Sequence, residues 1–412
     1  MNYSIKRDIS PDRKVALMRD DAKYEITVDR EQSASAYGSP AYDASARSAP
    51  TCGAPSASVF NTSSVPKVFL SNDCSFNCAY CGCRRSFEEK ERYRSTPREL
   101  ADLAYAQIGK GSPGIFVTSA VLKTPDYTEE LIIETLRILR QDINYKGYLH
   151  AKIMPGTDPL LIRKAGMYAN RLSVNIEVAK NEGYSLVARN KNKENILGPM
   201  GDISDFIREA RYDRRPFATS QTTQLMAGSL GEDDKTILQL SGALYKKYNL
   251  SRVYYTAFSY RYRAKGYDDL PMRSTPPWRM HRLYQADRLM QLYGYTVEDV
   301  APGREAFLEQ NYDPKAAWAL RNMHLFPVEI NKSERETLLR VPGIGLTGVE
   351  RILEARRYGS LTFETLKSIG ISLKRSKHFI TCGGKFYGSM SERDIRNALS
   401  IGDVGEQLTF AM

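Results

Sequence analysis

Long apolar runs are missing from this sequence of 412 residues, which has no stretch of about 18 apolar residues that could cross a bilayer as a helix. The first eight residues also lack the apolar core of a secretory signal peptide. Cysteine is scarce, and four of the six cysteines lie between positions 74 and 83, which does not fit the dispersed disulfide framework of a secreted domain. We therefore expect a cytoplasmic protein with no membrane partner.

The overall composition is that of a folded globular protein, with 42% hydrophobic and 26% charged residues. The length is sufficient for two or three domains with a sizeable core. A net charge of +11 favours an anionic partner such as nucleic acid, although a solvated cationic face would give the same excess. The charge therefore indicates a function only when a motif supports it.

The chain divides into segments of different composition. Between Gln32 and Ser64 the residues are mostly Ser, Ala, Gly, Pro and Thr, which cannot bury enough apolar surface to offset chain entropy. We predict that this region is an arm that packs over the main domain or is partly mobile. The predicted organisation is an arm at 1–65, an α/β core at 66–300, a linker at 301–332, a helical domain at 333–385 and a tail at 386–412.

Strand-like and helix-like segments alternate through the core. Predicted strands lie at 68–70, 115–118, 148–154, 172–177, 216–226 and 252–258, and predicted helices at 129–140, 158–169, 233–248 and 279–293. This alternation indicates a parallel sheet with right-handed crossovers, and a partial (β/α)6 TIM-like barrel fits it. Functional residues are then expected at the carboxyl ends of the strands.

Three cysteines, Cys74, Cys78 and Cys81, follow the first predicted strand with the spacing C-x3-C-x2-C. Their soft thiolates favour an iron–sulfur cluster or zinc over hard cations. Three ligands from one loop would leave one iron of a 4Fe–4S cluster open to a substrate or cofactor. A closed zinc site needs a fourth ligand, and Cys52, Cys83 or Cys382 could supply it.

With Tyr80 between its last two cysteines, the loop matches C-x3-C-x-aromatic-C and resembles the signature of the radical S-adenosylmethionine (SAM) enzymes. The resemblance implies a partial barrel and a 4Fe–4S cluster held by the three cysteines. It also implies that the open iron binds the amino and carboxylate groups of SAM, and that an electron from the cluster cleaves SAM to a 5′-deoxyadenosyl radical. We expect a flavodoxin, a ferredoxin or a reductase as the electron donor.

Several polar residues near strand ends are candidates for contacts with SAM. Asn175 and Glu177 are two apart on the fourth predicted strand and so share a face, where they can bind a ribose or the methionine amino group. Both residues also fit an ordinary polar strand end. Tyr80, beside the cysteines, is a further candidate.

The loop after the fifth predicted strand carries Gly228 and Glu232, and it resembles the glycine-and-glutamate stretch found there in many radical SAM enzymes. The acidic residues that begin the next helix offer a purely structural explanation for this loop. The Gly-Gly-Glu motif usual after the second strand of that family is absent. Thr118 and Ser119 stand there instead, and their hydroxyls are candidates for SAM contacts.

A second motif occupies 338–349, where a predicted helix is followed by a Pro-Gly-Ile-Gly turn and a second helix. It resembles a helix-hairpin-helix DNA-binding motif, although a purely structural helical hairpin remains possible. The Gly-x-Gly-x-x-Gly string within it does not indicate a dinucleotide site, because the preceding 334–340 is predicted to be helical and not a strand. The residues that offer backbone or side-chain contacts to phosphate are Gly343, Ile344, Gly345 and Thr347.

A degenerate second copy of the hairpin follows, with predicted helices at 363–367 and 373–380. Between 351 and 380 there are seven Lys and Arg residues against two acids. Phosphate contacts of this kind imply binding to duplex DNA without sequence reading and with strong salt dependence. An aromatic and basic stretch at 254–265 offers a further nucleic-acid contact, or else closes the edge of the barrel.

Together the two motifs resemble radical SAM proteins assigned to DNA modification or repair that carry a C-terminal helix-hairpin-helix domain. The leading hypothesis is an enzyme that abstracts hydrogen from a nucleotide in DNA or RNA. Two alternatives stay open at this stage. One is a nucleic-acid-binding protein with a structural or redox-sensing cluster, and the other is a radical SAM enzyme with a small-molecule substrate.

Overall fold

The computed structural model describes residues 9–22, 65–88, 90–108, 113–265, 267 and 270–400. Most of the predicted arm, including Cys52, and the end of the predicted tail lie outside these residues. Among the described residues, no helix is long and apolar enough to cross a membrane. The chain forms two compact units, the first made of 1–232 and 240–280 and the second of 233–239 and 281–412.

A six-stranded sheet forms the core of the first unit. Its strands are β1 Lys67–Phe69, β2 Gly114–Thr118, β3 Tyr148–Lys152, β4 Arg171–Ser173, β5 Ser220–Ala227 and β6 Arg252–Ala257. They lie side by side in chain order, and every neighbouring pair is parallel. This sheet confirms the predicted α/β fold with a half-barrel of six parallel strands.

Helices lie before, between and after the strands. They are α1 Pro11–Ala22, α2 Pro97–Ile108, α3 Pro125–Arg137, α4 Pro159–Tyr168, α5 Glu182–Val187, α6 Glu194–Tyr212, α7 Asp234–Tyr248 and α8 Pro277–Leu292. Two of them start where the sequence offers an N-cap before a proline: Thr124 accepts a backbone N–H at α3, and Asp158 does so at α4. The α2 and α6 helices were not predicted, and α3 continues as one π-helical turn at Ile138–Asp142.

The two faces of the sheet differ in polarity. One face carries apolar side chains, including Val68, Ile115, Leu149, Leu172 and Val253, all 0–1% exposed. In a βα barrel this face packs against the surrounding helices, and the opposite face lines the interior. The interior face here is rich in polar and cationic groups, which positions functional side chains inside the barrel.

The fourth strand is shorter than predicted. It ends at Ser173, after which the Thr223 hydroxyl of β5 bridges the backbone by donating to the carbonyl of Val174 and accepting from the N–H of Ile176. Pairing with β5 resumes only at Glu177, which has a left-handed backbone with φ of 65°. The strand-alternation argument for Asn175 and Glu177 was therefore wrong, because the intervening backbone is not a regular strand.

The second unit is mainly helical. Its elements are α9 Val297–Val300, α10 Pro314–Arg321, α11 Arg335–Arg340, α12 Leu346–Ala355, α13 Phe363–Ser368, α14 Leu373–Ser376 and α15 Glu392–Leu399. The prediction of an all-α domain needs correction, since Val328–Glu329 and Ile380–Thr381 pair as two short parallel strands, β7 and β8. The predicted helix at 373–380 accordingly stops at Ser376, and Ile380 belongs to a strand.

Candidate active site

The cysteine loop begins at the carboxyl end of β1, as the βα-barrel argument requires. Neighbouring loops hold it at several points. The backbone N–H of Ser75 donates to the carbonyl of Val121 at 2.7 Å, and that of Ala79 donates to Val187 at 2.8 Å. The N–H of Asn77 donates to the side chain of Asn190 at 2.9 Å. The loop is thus fixed by the segments that follow β2 and α5.

Backbone donors point at two of the cysteine sulfurs. The N–H of Phe76 lies 3.4 Å from Cys74 Sγ, and that of Cys83 lies 3.3 Å from Cys81 Sγ. The Cys83 thiol also hydrogen-bonds to Cys81, which lowers the pKa of Cys81 to about 6. Burial instead raises the pKa of Cys78 to about 12. Donors to sulfur stabilise a thiolate and are among the groups that tune iron–sulfur clusters.

The donor set fits a 4Fe–4S cluster. The charges of Cys74, Cys78 and Cys81 influence one another, so the three side chains lie near each other. Nevertheless, in the described part of the chain no three His, Cys, Asp or Glu side chains converge as ligands of a single ion. A cluster takes one thiolate for each of three irons and does not need the sulfurs to meet at one atom, as zinc does.

Two buried arginines brace the cysteine loop. Arg92 donates to the carbonyls of Asn72 and Cys83 at 2.6 and 2.8 Å. Arg84 donates to the carbonyls of Cys81 and Tyr262 at 3.0 and 2.7 Å. Because guanidinium is planar and carries several donors, each arginine ties two separate backbone positions together. These residues were not singled out from sequence, since a run of Arg beside Cys reads as surface charge.

Cys83 is held by a separate network. It is 9% exposed, and its sulfur lies 3.8 Å from a carboxylate oxygen of Asp21 in α1, which also pairs with Lys90. Hydrogen bonding to Cys81, together with burial, raises the pKa of the Cys83 thiol well above its usual value. This arrangement favours a protonated Cys83 beside the cysteine loop over a role for Cys83 as a fourth metal ligand.

A buried ion pair next to the cysteines was missed from sequence. Lys191 Nζ lies 2.7 Å from Glu177 Oε1 and 3.5 Å from the Tyr80 hydroxyl. Burial opposes the charge on Lys191, but the coulombic attraction of Glu177 and Cys78 outweighs it and raises the Lys191 pKa above its ordinary value. Lys191 stands in the run Arg-Asn-Lys-Asn-Lys, which carries no signal that separates it from a solvated loop.

Asn175 and Glu177 do come together, although not by strand alternation. Both are buried, at 7% and 6% exposure, and the Asn175 side chain hydrogen-bonds to the Glu177 carboxylate. Burial would raise the pKa of Glu177, but Lys191 and Lys152 reverse this and lower it, so the carboxylate is ionised. An anchored anion at this position can accept a hydrogen bond from an amine or a ribose hydroxyl. A SAM contact at these residues stays a prediction.

Thr118 is the last residue of β2 and Ser119 follows it, beside the cysteine loop. Thr118 is 1% exposed, and its carbonyl accepts the N–H of Leu70 at 2.9 Å. The Ser119 hydroxyl donates to the carbonyl of Ala120 at 2.7 Å. Both residues therefore border the loop, while the Ser119 proton is already used by the backbone.

The loop after β5 is organised by Glu232. Its carboxylate accepts the backbone N–H groups of Gly228 and Leu230, the latter at 2.9 Å, so the side chain folds its own loop. Gly228 has a φ of 84°, and a Cβ there would lie 2.0 Å from the Thr275 hydroxyl. The glycine is thus required for packing against Thr275. The predicted SAM contacts of Gly228 and Glu232 stay predictions.

The side chains of the aromatic and basic stretch at 254–265 differ in solvent exposure. Tyr255 and Phe258 are fully buried, and the Tyr255 hydroxyl donates to Ser241 at 2.9 Å. Tyr260 is 44% exposed. The N–H of Ala264 donates to the carbonyl of Ala79, so this stretch supports the cysteine loop. Structural closure of the barrel edge accounts for its buried members.

In the second unit the predicted phosphate-binding residues lie around the turn between α11 and α12. Gly343 is exposed with a φ of 88°, and Gly345 is the N-cap residue of α12. Thr347 is exposed on the first turn of that helix. Ile344 is 1% exposed and its carbonyl accepts Lys315 Nζ at 2.5 Å, so its side chain belongs to the core.

A half-barrel of parallel strands with a three-cysteine loop after its first strand can hold an iron–sulfur cluster at the edge where such barrels carry their functional residues. Residues 68–240 match the family model of the Radical SAM superfamily. This segment of the chain is therefore similar to radical SAM domains, and the cofactors of that family are a 4Fe–4S cluster and SAM.

Comparison with individual proteins gives partial matches. The chain is 32% identical over 74 residues to the [FeFe] hydrogenase maturase subunit HydE of Thermotoga maritima, which is 18% of this chain and 21% of that protein. The chain thus spans about a fifth of the length of this relative. The structure of the FeFe-hydrogenase maturase HydG from Carboxydothermus hydrogenoformans superposes with a TM-score of 0.42 and 17% identity, covering 55% of this chain and 51% of that one. The radical SAM methyltransferase TsrM from Kitasatospora setae gives a TM-score of 0.33 and 13% identity over 47% of this chain and 36% of that one.

Proposed function

We propose that this protein is a radical SAM enzyme whose substrate is a nucleotide within a nucleic acid. The first unit supplies the chemistry. The second unit binds the phosphate backbone through its paired helical hairpins. The observation that carries the nucleic-acid part of this proposal is the reciprocal packing of two glycine turns in the second unit, described below.

The residues of the first unit have definite tasks in this proposal. Cys74, Cys78 and Cys81 hold the cluster. When bound, the cluster supplies the electron that cleaves SAM to a 5′-deoxyadenosyl radical. The buried Glu177 carboxylate accepts hydrogen bonds from the amine or ribose of SAM, and Lys191 keeps that carboxylate ionised and oriented.

The two helical hairpins of the second unit pack on each other in a symmetric way. A Cβ at Gly343, in the turn of the first hairpin, would lie 3.2 Å from the backbone N of Ser376 in the second. A Cβ at Gly370, in the turn of the second, would lie 2.8 Å from Arg351 in the first. Both glycines have a positive φ, of 88° and 83°. Each turn thus sits against the second helix of the other hairpin, which supports a compact double hairpin.

The basic residues of this double hairpin have different surroundings. Arg375 forms a buried ion pair with Asp313 at 2.6 Å, and Arg356 donates to the carbonyl of Ser333 at 2.7 Å, so both are structural. Lys367 and Lys374 are exposed. These exposed lysines, in the same double hairpin as the exposed Thr347 on the first turn of α12, support contact with backbone phosphates without base reading.

The cluster assignment is tested by metal analysis of protein purified without oxygen. We expect iron and sulfide in the unaltered protein and their loss in Cys74→Ala, Cys78→Ala and Cys81→Ala. The matched control is Cys83→Ala in the same loop, which should keep its iron. Zinc in place of iron, or equal loss of metal in Cys83→Ala, would contradict the assignment.

The reaction is tested by incubating the reduced, cluster-loaded protein with SAM and single- or double-stranded oligonucleotides. We expect 5′-deoxyadenosine to form and its yield to rise when the correct oligonucleotide is present, with a changed nucleoside detected by mass analysis. If 5′-deoxyadenosine forms but no nucleic acid changes its yield, the radical SAM activity is supported and the proposal of a nucleic-acid substrate is contradicted.

A radical SAM enzyme with a small-molecule substrate is the second candidate. It is favoured by the cationic interior face of the barrel, which can take a charged small molecule without any contribution from the second unit. In that case oligonucleotide binding and SAM cleavage would be independent of each other.

A further inference from the structure

The six strands of the barrel contain no acidic residue and four cations. Their sequences are KVF, GIFVT, YLHAK, RLS, SQTTQLMA and RVYYTA. The cations are Lys67, Lys152, Arg171 and Arg252. The strands themselves therefore supply only positive charge, and the Glu177 carboxylate acts on Lys152 from the segment after β4.

Sheet register places all four cations on the same face. Lys67 pairs with Phe116, Phe116 with His150 and His150 with Arg171. Lys152 lies two residues beyond His150. Lateral partners in a parallel sheet share a face, as do residues two apart on one strand.

The same rule brings in the fourth cation. Lys152 pairs with Ser173, Ser173 with Thr222 and Thr222 with Arg252. The face opposite these residues is the apolar one that packs outward. All four cations therefore point into the barrel.

The cations of this interior face lie close enough to affect one another. Lys67 and Arg171 are 7% and 5% exposed. Burial and the charge of Lys152 both lower the pKa of Lys67 well below its usual value. The pKa of His150 is also lowered well below its usual value, by burial and by the charges of Arg171 and Lys67. The interior is thus a place where positive charge repels positive charge.

A buried hydroxyl adds a second, independent observation. Thr222 Oγ1 is shielded from solvent and has no hydrogen-bond partner among the described residues. Its residue is 1% exposed and stands on the interior face between Ser173 and Arg252. A buried polar atom without a partner costs free energy, so such atoms commonly await a ligand or water.

The cationic face is continuous with the cofactor site. Lys152 is a half-buried cation at the carboxyl end of β3. The charges of Glu177, Lys191 and Cys81 act on its pKa. A molecule that contacts Lys152 is therefore beside the residues that surround the cluster. This is where a substrate must lie if hydrogen is to be abstracted from it.

We infer that the barrel interior binds a phosphate group of the substrate through Lys152, Arg171 and Lys67, with the Thr222 hydroxyl as a further donor. A phosphate suits this site better than a single carboxylate, because it carries up to two charges and three acceptor oxygens that several cations can share. The inference rests on the proposed radical SAM function of the first unit. It holds whether the phosphate belongs to a nucleic acid or to a small molecule.

Inorganic phosphate is the first probe, measured by titration calorimetry on the cluster-loaded full chain with saturating SAM, so that sites for the SAM carboxylate are filled. We expect Lys152→Gln and Arg171→Gln each to weaken phosphate binding by about tenfold or more, since each removes a charged hydrogen bond. The control is Lys164→Gln, an exposed position on α4, which should bind as the unaltered protein does.

Thr222→Val keeps the test decisive if the charge variants fold poorly. Removing a hydroxyl without a partner should leave thermal stability unchanged or raise it, while phosphate binding weakens about tenfold. Unchanged phosphate affinity in all three barrel variants would overturn the inference. In particular, phosphate bound only at the helical hairpins would give this result.

Further ligands distinguish the source of the phosphate. A pyrimidine nucleoside 5′-monophosphate, its uncharged nucleoside and a single-stranded oligonucleotide are compared in the same assay. The inference requires the monophosphate to bind more tightly than the nucleoside, with the difference lost in Thr222→Val; equal binding would overturn it. Failure of the proposed function has a separate signature, because 5′-deoxyadenosine would then be absent even when phosphate binds.

Discussion

Lys191 and Glu177 show how single residues set the electrostatics of the region beside the cysteine loop. The pair is almost enclosed, with side-chain exposures of 12% and 8%. A buried charge without its partner is far less stable than either the intact pair or two neutral groups. The lysine therefore does more than fill space, since together with Lys152 it keeps the carboxylate beside Tyr80 ionised.

Replacing Lys191 by Met should lower the free energy of unfolding by roughly 3 kcal/mol, because Glu177 is left charged and buried. Urea unfolding of the cluster-loaded protein measures this change. Lys193→Met, two residues away and exposed, is the matched control and should change stability by less than about 0.5 kcal/mol. Adding Glu177→Gln to Lys191→Met should restore much of the loss. A double variant no more stable than the single one would contradict the ion-pair explanation.

Glu129 in α3 predicts a pH dependence of stability. It is 0% exposed, one oxygen accepts the N–H of Met154 at 3.0 Å, and burial raises its pKa to about 8. Its ordinary pKa is 4.5, so between these values the folded chain holds a proton that the unfolded chain has released. The contribution of Glu129 to stability is therefore present below pH 4.5 and is lost as the pH rises through about 8.

The corresponding experiment compares melting temperatures of Glu129→Gln and the unaltered protein between about pH 5 and pH 9. Glutamine cannot ionise and can still accept the Met154 N–H, so we expect a smaller decline with pH in the variant. Glu130→Gln, at the exposed neighbouring position, serves as the control and should follow the unaltered protein. Parallel curves for Glu129→Gln and the unaltered protein would show that this carboxyl does not titrate as inferred.

At the scale of elements, turns and irregular backbone position the functional groups more than the regular strands do. The interruption after β4 lets Glu177 reach Lys191, and the loop after β5 is folded by Glu232 itself. In the second unit, left-handed glycines let each hairpin turn approach the neighbouring helix closely. Such positions tolerate substitution poorly, because a side chain strains the backbone and meets a neighbour at once.

Gly343→Ala tests the hairpin turn. A φ of 88° and a backbone atom 3.2 Å from the added Cβ lead us to expect a loss of at least about 1 kcal/mol of stability, with weaker oligonucleotide binding. Gly198→Ala is the opposite case, because Gly198 lies inside α6 and an added Cβ meets nothing within 4 Å. That variant should be stabilised by roughly 0.5–1 kcal/mol. Equal effects of the two substitutions on unfolding would contradict the strained turn.

The charge of the whole molecule bears on its partners. The net charge of +11 is a property of the chain, while the contacts of individual side chains decide where that charge can act. Arg375, Arg356 and Arg92 are committed to ion pairs or backbone carbonyls. Under the proposed function, the remaining exposed basic residues would attract polyanions over a distance set by the salt concentration.

Binding of the full chain to duplex DNA should therefore weaken steeply with salt. For about four phosphate contacts, affinity should fall roughly a hundredfold between about 50 and 200 mM salt. Fluorescence anisotropy with two duplexes of unrelated sequence measures the slope, which should be the same for both. Salt-independent binding, or binding to one sequence alone, would contradict recognition through the phosphate backbone.

Much of this protein follows from local sequence patterns. The period of the strands and helices determined the half-barrel, and the spacing of Cys74, Cys78 and Cys81 predicts a cluster-binding loop, because both depend on residues close together in the chain. The turn glycines of the hairpins, Gly343 and Gly370, depend on backbone conformation in the same local way.

Only the tertiary structure decided the rest. Lys191 meets Glu177, and the barrel cations share one face, because loops and strands distant in sequence are brought together by sheet register. The early end of β4 depends on one hydroxyl of the neighbouring strand, Thr223. No periodicity within a single segment contains such information, since the free energy that fixes these contacts comes from burial and pairing between segments.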